Sequence, residues 1–156
     1  MSRPPQIAVI GPGAEDPRLA ALAEEVGRRL AGEGARLVCG GRGGVMEAAA
    51  RGAAGAGADV IGIVPGESPD DANRYVTHPV ATGIGHARNL AVVATADAVV
   101  AVGGEWGTLS EIGFARRLGR AVIGLESWDL PGTPSVGTPI EAVEQALRAV
   151  RRNHHQ

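Results

Sequence analysis

The sequence predicts an α/β protein: a three-layer αβα sandwich with helices on both faces of a parallel sheet, built as a single domain. Three observations carry this. Short runs rich in Val, Ile and Ala recur at residues 6–10, 36–39, 59–64, 97–102 and 121–125. Most of them do not alternate apolar with polar residues, which is the pattern of strands buried on both faces. Segments of helical spacing lie between and after them, at 17–31, 45–56, 85–94, 109–118 and 140–151, giving the strand and helix alternation of a parallel sheet. The length, 156 residues, suits one domain with one ordinary core.

Taken in order, QIAVI is the first strand and ends at Gly11-Pro12-Gly13. Asp16-Pro17 then supplies an N-cap oxygen and a proline whose fixed φ suits a first helical turn. The second strand ends at Cys39 and passes through Gly40, Gly41, Arg42, Gly43 and Gly44 into the second helix. After the third strand, GESPDDANRYVTHP (66–79) is polar and contains two prolines. It reads as a loop long enough for a lid or an oligomer contact.

The third helix starts near Gly85, and Asp97 opens the fourth strand. AVGGEWGTLSE (101–111) then echoes VCGGRGGVMEAA: strand, Gly-Gly, spacer, Gly, helix. Within it, Thr108-Leu109-Ser110-Glu111 has the spacing of a capping box, in which the glutamate reaches back to the amide of the capping residue. Gly119 closes this helix, and residues 126–139 form a second loop. Thr138-Pro139-Ile140-Glu141 is another capping box and opens the last helix. Residues 1–152 are read as the domain and 153–156, including His154 and His155, as a frayed tail.

Composition removes several function classes. Apolar residues make up 44% and charged residues 21% of the chain, and the net charge of −2 is spread without blocks. That balance disfavours a nucleic-acid surface, which needs clustered cations. Arg116, Arg117 and Arg120 form the densest internal basic cluster, read as a solvated helix end. All 15 basic residues are arginine, so neither a pyridoxal-phosphate Schiff base nor a P-loop lysine contact is available. The single cysteine, Cys39, rules out an internal disulfide and reads as a small buried hydrophobe. The longest apolar stretch, 90–102, is broken by Asp97 and falls short of the ~20 residues of a membrane helix. With no signal-peptide pattern at the start, the expected location is the cytoplasm.

Glycine turns that lead from strand ends into helices offer free amides to anions. Gly41, Gly43 and Gly44 in one turn, and Gly103, Gly104 and Gly107 in another, point to a phosphate-bearing ligand. Gly11 and Gly13 add a third wall. They are not the dinucleotide fingerprint, because Asp16 stands where its third glycine belongs. His78 and His86 lack partners at ligand spacing, and no metal site is expected. Trp106 either stacks a base or packs between subunits; Arg42 either meets an anion or is an exposed turn residue.

The segments GGRGGVMEAAARGA (40–53), GIVPG (62–66), HARN (86–89) and GGEWGTLSE (103–111) together resemble the LONELY GUY superfamily, over most of the chain. The resemblance implies a Rossmann-like fold and a homo-oligomer, dimer or tetramer. Two activities come with it: cytokinin-activating nucleoside 5'-monophosphate phosphoribohydrolysis and molybdenum-cofactor carriage. Lysine decarboxylase, a label often given to such chains, is not implied. Carried over by position, Arg88 and Glu111 become the candidate active pair, Gly107 and Thr108 the phosphate cradle, and Gly41, Gly43, Gly44 and Met46 the nucleotide side.

Two departures favour the carrier-like branch. The hydrolases read Pro-Gly-Gly-x-Gly-Thr-x-x-Glu, where this chain has Gly103 for the proline and Glu105 for the second glycine. They also carry lysine after the arginine, where this chain has Asn89. The expectation is a carrier-like protein for a phosphorylated, nucleotide-like molecule, needing no further cofactor, with a nucleotide or the molybdenum cofactor as ligand. Phosphoribohydrolysis and a non-catalytic interaction module stay open as alternatives.

Overall fold

In the computed structural model, which describes residues 3–154, seven strands form one parallel sheet. They are β1 (Gln6–Ile10), β2 (Arg36–Cys39), β3 (Val60–Val64), β4 (His78–Ala81), β5 (Ala98–Val102), β6 (Ala121–Leu125) and β7 (Ser135–Val136). Their order is β4-β3-β2-β1-β5-β6-β7. Five helices connect or follow them: α1 (Pro17–Gly32), α2 (Val45–Gly55), α3 (Arg88–Thr95), α4 (Trp106–Arg117) and α5 (Pro139–Asn153).

Alternate residues of each central strand face opposite cores. Ile7, Val9, Leu37 and Val100 meet the apolar sides of α1, α2 and α5, while Ala8, Ile10, Val38, Val99 and Ala101 meet Val92 and Val93 of α3 and Ile112 and Ala115 of α4. Both sheet faces are therefore dry, which explains the unalternating strand sequences. The expected three-layer Rossmann-like sandwich is borne out. Asp97 ties the start of β5 to β1, accepting from the Gln6 amide at 2.8 Å and pairing with Arg3.

The expected caps at two helices are present. The Asp16 carboxylate accepts from the amides of Arg18 and Leu19, and the Thr138 hydroxyl accepts from the Glu141 amide. The loops expected at 66–79 and 126–139 need correction, because each contains strand. The first holds a 3-10 turn at Pro69–Asp71 and the start of β4; the second holds β7. Both strands lie at sheet edges, where exposure and Pro79 remove the apolar signature. The helix expected from Gly85 opens instead as a 3-10 turn, Gly85–Ala87, before α3. At the far end α5 reaches Asn153, with His154 as its C-cap; the rest of the expected tail, His155 and Gln156, lies outside the described residues. No helix among the described residues is long and apolar enough to cross a membrane.

The chain runs outward from β1 through β2 and β3 to β4, then returns across β1 to begin β5 on its other side. That reversal creates a crevice beyond the carboxyl ends of β1 and β5, the usual place for a ligand in an open α/β sheet.

Candidate functional site

Glu111 is not a capping residue. α4 starts at Trp106, three residues before the expected start at Leu109, and its N-cap is Glu105, which makes no side-chain capping bond. The turn at Gly103, with φ of 69°, leaves β5 early, and extended backbone at Glu105 lets the helix begin there. Thr108 therefore falls inside the helix, buried, with its Oγ1 lacking a hydrogen-bond partner among the described residues. One turn on, Glu111 shares the sheet-facing side of α4 with Ile112 and Ala115 and is only 9% exposed. Burial pushes its carboxyl up to about 7, against the pull of the nearby Arg88 charge.

Arg88, the first residue of α3, is equally buried at 9% exposure. Its guanidinium rests over Gly40 at the end of β2. A Cβ added at Gly40 would lie 2.9 Å from Arg88 Nη2 and 2.6 Å from Met46 Sδ, so no other residue fits there without displacing the arginine. Nη1 donates to Asn89 Oδ1, Nη2 lies 3.9 Å from Met46 Sδ, and Nε has no partner among the described residues. Burial holds the arginine below its usual value, with Glu111 acting the other way. The two side chains sense each other's charge, yet among the described residues they form no ion pair. Cys39, buried beneath, has its thiol pushed up to about 11 by desolvation.

The turns after β1, β2 and β5 meet one another. The Val45 amide donates to the Pro12 carbonyl at 3.0 Å, and the position of a Gly103 Cβ lies 3.3 Å from Pro12 Cδ. The glycines named from the sequence nevertheless divide into two groups. At Gly11, Gly44, Gly103 and Gly104 an added methyl would strike protein: the Val102 carbonyl, the Pro12 carbonyl, Leu19 and Trp128 respectively. Gly41 is likewise filled by Val64. These glycines are explained by close packing. Among the described residues, nothing lies within 4 Å of an added Cβ at Gly107, only the Gly13 carbonyl at 3.6 Å at Gly43, and only Met46 Cε at 3.7 Å at Gly13. Those three are the open positions along the crevice, and Gly107 belongs to the first turn of α4.

Other expected residues find ordinary partners. Arg42 is exposed and donates to the Asp71 carbonyl, while Asn73 bonds the Gly41 carbonyl and the Arg42 carbonyl, pinning the segment after β3 onto the β2 turn. His78 Nδ1 lies 2.9 Å from Thr77 Oγ1. Among the described residues no group of three or more His, Cys, Asp or Glu is placed to hold a metal ion. Trp106 is 77% exposed, and its ring lies 5.4 Å from that of Trp128. Trp128 was not singled out in the sequence; its only signal there is an aromatic residue in a polar loop beyond a strand end.

Comparison with known proteins agrees with this architecture. The model of the SLOG cluster4 family matches residues 4–153. The chain belongs to this family. Within reach of this SLOG cluster4 protein are a protein of Archaeoglobus fulgidus, 41% identical over 143 residues that cover 91% of this chain and 94% of the relative, and two solved structures. One is the molybdenum cofactor binding protein of the phototrophic bacterium Rippkaea orientalis, with 33% identity, a TM-score of 0.91, and coverage of 96% of this chain and 99% of that one. The other is the molybdenum cofactor carrier protein of Chlamydomonas reinhardtii, with 29% identity, a TM-score of 0.85 and the same coverage. The resemblance to the LONELY GUY superfamily, nearest to its carrier-like branch, is thereby borne out.

Proposed function

We propose that this SLOG cluster4 protein is a carrier that binds a phosphorylated, ring-bearing cofactor, the molybdenum cofactor, beyond the ends of β1, β2 and β5. The single observation that carries the reading is Arg88: an arginine only 9% exposed, its guanidinium held from one side by Asn89 and Met46, with Nε unpaired among the described residues and the adjacent Glu111 not closed onto it. A buried cation without a counter-ion costs several kcal/mol, and a phosphate relieves that cost through charge-assisted hydrogen bonds. The residues fit such a group. Arg88 supplies the fork, the open Gly107 backbone in the first turn of α4 supplies free amides, and the unpaired Thr108 hydroxyl supplies one more polar group.

Asn89 supports carriage over hydrolysis. Its carbonyl oxygen accepts from Arg88, whereas a lysine at that position would repel the guanidinium. The likeness to carrier proteins points the same way. Phosphoribohydrolysis has one observation in its favour, the Glu111 carboxyl raised to about 7, the range of a general acid working at neutral pH. Assembly into a homo-oligomer belongs to the same reading, because apolar side chains stay exposed on the side of the sheet covered by α3 and α4.

The test is to purify the protein from cells that make molybdenum cofactor and to assay molybdenum and the oxidised pterin per chain. Both are expected in the parent and lost in Arg88→Ala. Parent protein that carries neither, and takes up neither from added cofactor, overturns the proposal. Incubation with AMP is expected to release no free base; release of base with ribose 5-phosphate installs the hydrolase reading.

A further inference from the structure

On the side of α4 away from β1, the end of β6 and the loop beyond it form an open cleft of about 320 Å3, lined by Gly104, Glu126, Ser127, Trp128 and Asp129. Trp128 is firmly seated in it. Its Nε1 donates to the Glu105 carbonyl at 3.2 Å, and its ring occupies the space that a Cβ at Gly104 would need, 2.8 Å from Cδ1 and Nε1. Against it, tilted by 38°, stands Trp106, whose indole is largely in water. A tryptophan so exposed, beside a second one that is fixed, offers a flat π surface at little ordering cost.

The polar groups of the cleft are unequally occupied. Glu126 is held by both terminal nitrogens of Arg18. Asp129 makes no hydrogen bond or ion pair among the described residues, and Ser127 Oγ is a buried atom with no partner. With Glu105, Glu126 and Asp129 nearby, the cleft repels phosphate and favours hydrogen-bond donors. A carboxylate presents two acceptors side by side. It therefore matches a ring edge with two adjacent N–H donors, the 2-amino group beside a ring N–H that guanines and pterins share and adenine lacks.

We infer that the exposed Trp106 ring and the Trp128 cleft form a ring subsite that stacks the heterocycle of the bound ligand and, through Asp129, selects rings that carry a 2-amino group beside a ring N–H. The inference rests on the proposed binding of a phosphorylated, ring-bearing ligand at Arg88 and adds where its ring lies and which residues read the ring's edge. Trp106 directly precedes Gly107 in the first turn of α4, so a ring stacked on it lies beside a phosphate held by the amides of that turn.

Calorimetric titration of the full chain with ribose 5-phosphate, AMP, GMP and a phosphorylated pterin tests the subsite. Stacking on an aromatic side chain amounts to roughly tenfold or more in affinity. AMP is therefore expected to bind about tenfold tighter than ribose 5-phosphate, with GMP and the pterin tighter again. Trp106→Ala lowers all three ring ligands by about tenfold and leaves ribose 5-phosphate unchanged. Asp129→Asn brings GMP and the pterin down to the level of AMP. The tighter of GMP and the pterin identifies the ring class. If ring ligands bind no better than ribose 5-phosphate, or AMP matches GMP, the subsite is overturned; continued loss of binding in Arg88→Ala would then leave the phosphate site standing. If none of the four binds, both proposals fall.

Discussion

Glu111 exposes the energetic tension of the site in one side chain. Its carboxyl ionises at 4.5 in the free state and at about 7 in the folded protein, because burial outweighs the attraction of Arg88. Between those values the folded state holds more protons than the unfolded one, so stability falls as pH rises from 4.5 towards 7 and stays low above it. Glu111→Gln removes the charge. It is expected to be more stable than the parent at about pH 8, by an amount on the order of 3 kcal/mol at most, with the difference closing below pH 4.5. Thermal melting across that range checks the sign; a less stable variant at high pH would mean that the carboxylate is satisfied in the folded chain. Cys39 makes a second residue-scale prediction. Fully buried and with its thiol raised to about 11, it is expected to resist a thiol reagent in native protein and to react on unfolding, since only the thiolate is reactive. Rapid labelling of the native chain would contradict its burial.

For the secondary-structure elements, what could be read from the chain depended on how much of each is buried. The five central strands announced themselves because both faces are apolar, and α1 and α5 because Asp16 and Thr138 cap them. β4 is exposed at every residue and β7 has two residues, so neither carries a pattern. The start of α4 was misread for a different reason: Thr108-Leu109-Ser110-Glu111 satisfies the spacing of a capping box whether or not the helix begins there, and only the tertiary fold reveals that Glu111 points inward. The candidate pair Arg88 and Glu111 comes from the resemblance alone, while the Trp128 cleft left no mark in the sequence, since it depends on where a loop returns. The crossing of α1 and α2 yields a prediction in which two local rules disagree. Helix propensity says that Gly52→Ala in α2 stabilises by ~1 kcal/mol. Yet a Cβ there would strike the Glu24 carbonyl and lie 3.0 Å from the Arg28 amide nitrogen, both backbone atoms of α1. Overpacking of this kind costs ~1–3 kcal/mol, so Gly52→Ala is expected to unfold at lower denaturant than the parent. A stabilised variant would show that the helices separate at no cost.

Across the whole molecule, the two sides of the sheet are finished differently. α1, α2 and α5 cover one side and turn polar residues outward, leaving Ile140 as the one exposed large hydrophobic residue there among those described. The other side carries only the short α3 and the twelve-residue α4. It leaves Val80, Ile84, Leu90, Phe114 and Leu118 more than a third exposed. Phe114 and Leu118 are four residues apart at the end of α4, and α3, which carries Leu90, packs against α4, so these three lie on adjoining helices. Exposed apolar side chains on neighbouring helices are what the proposed homo-oligomer would cover, and the same two helices carry Arg88 and Glu111. Such an assembly would cover the outer side of α3 and α4 and hold the helix that carries Glu111 more firmly against the sheet. Light scattering of the parent is expected to give a dimer or tetramer. Leu90→Asp combined with Phe114→Asp is expected to give a monomer that keeps its circular dichroism, because both side chains point away from the core. A parent that remains monomeric at high concentration would leave these side chains to some other surface, and the Arg88 site would then have to function within a single chain.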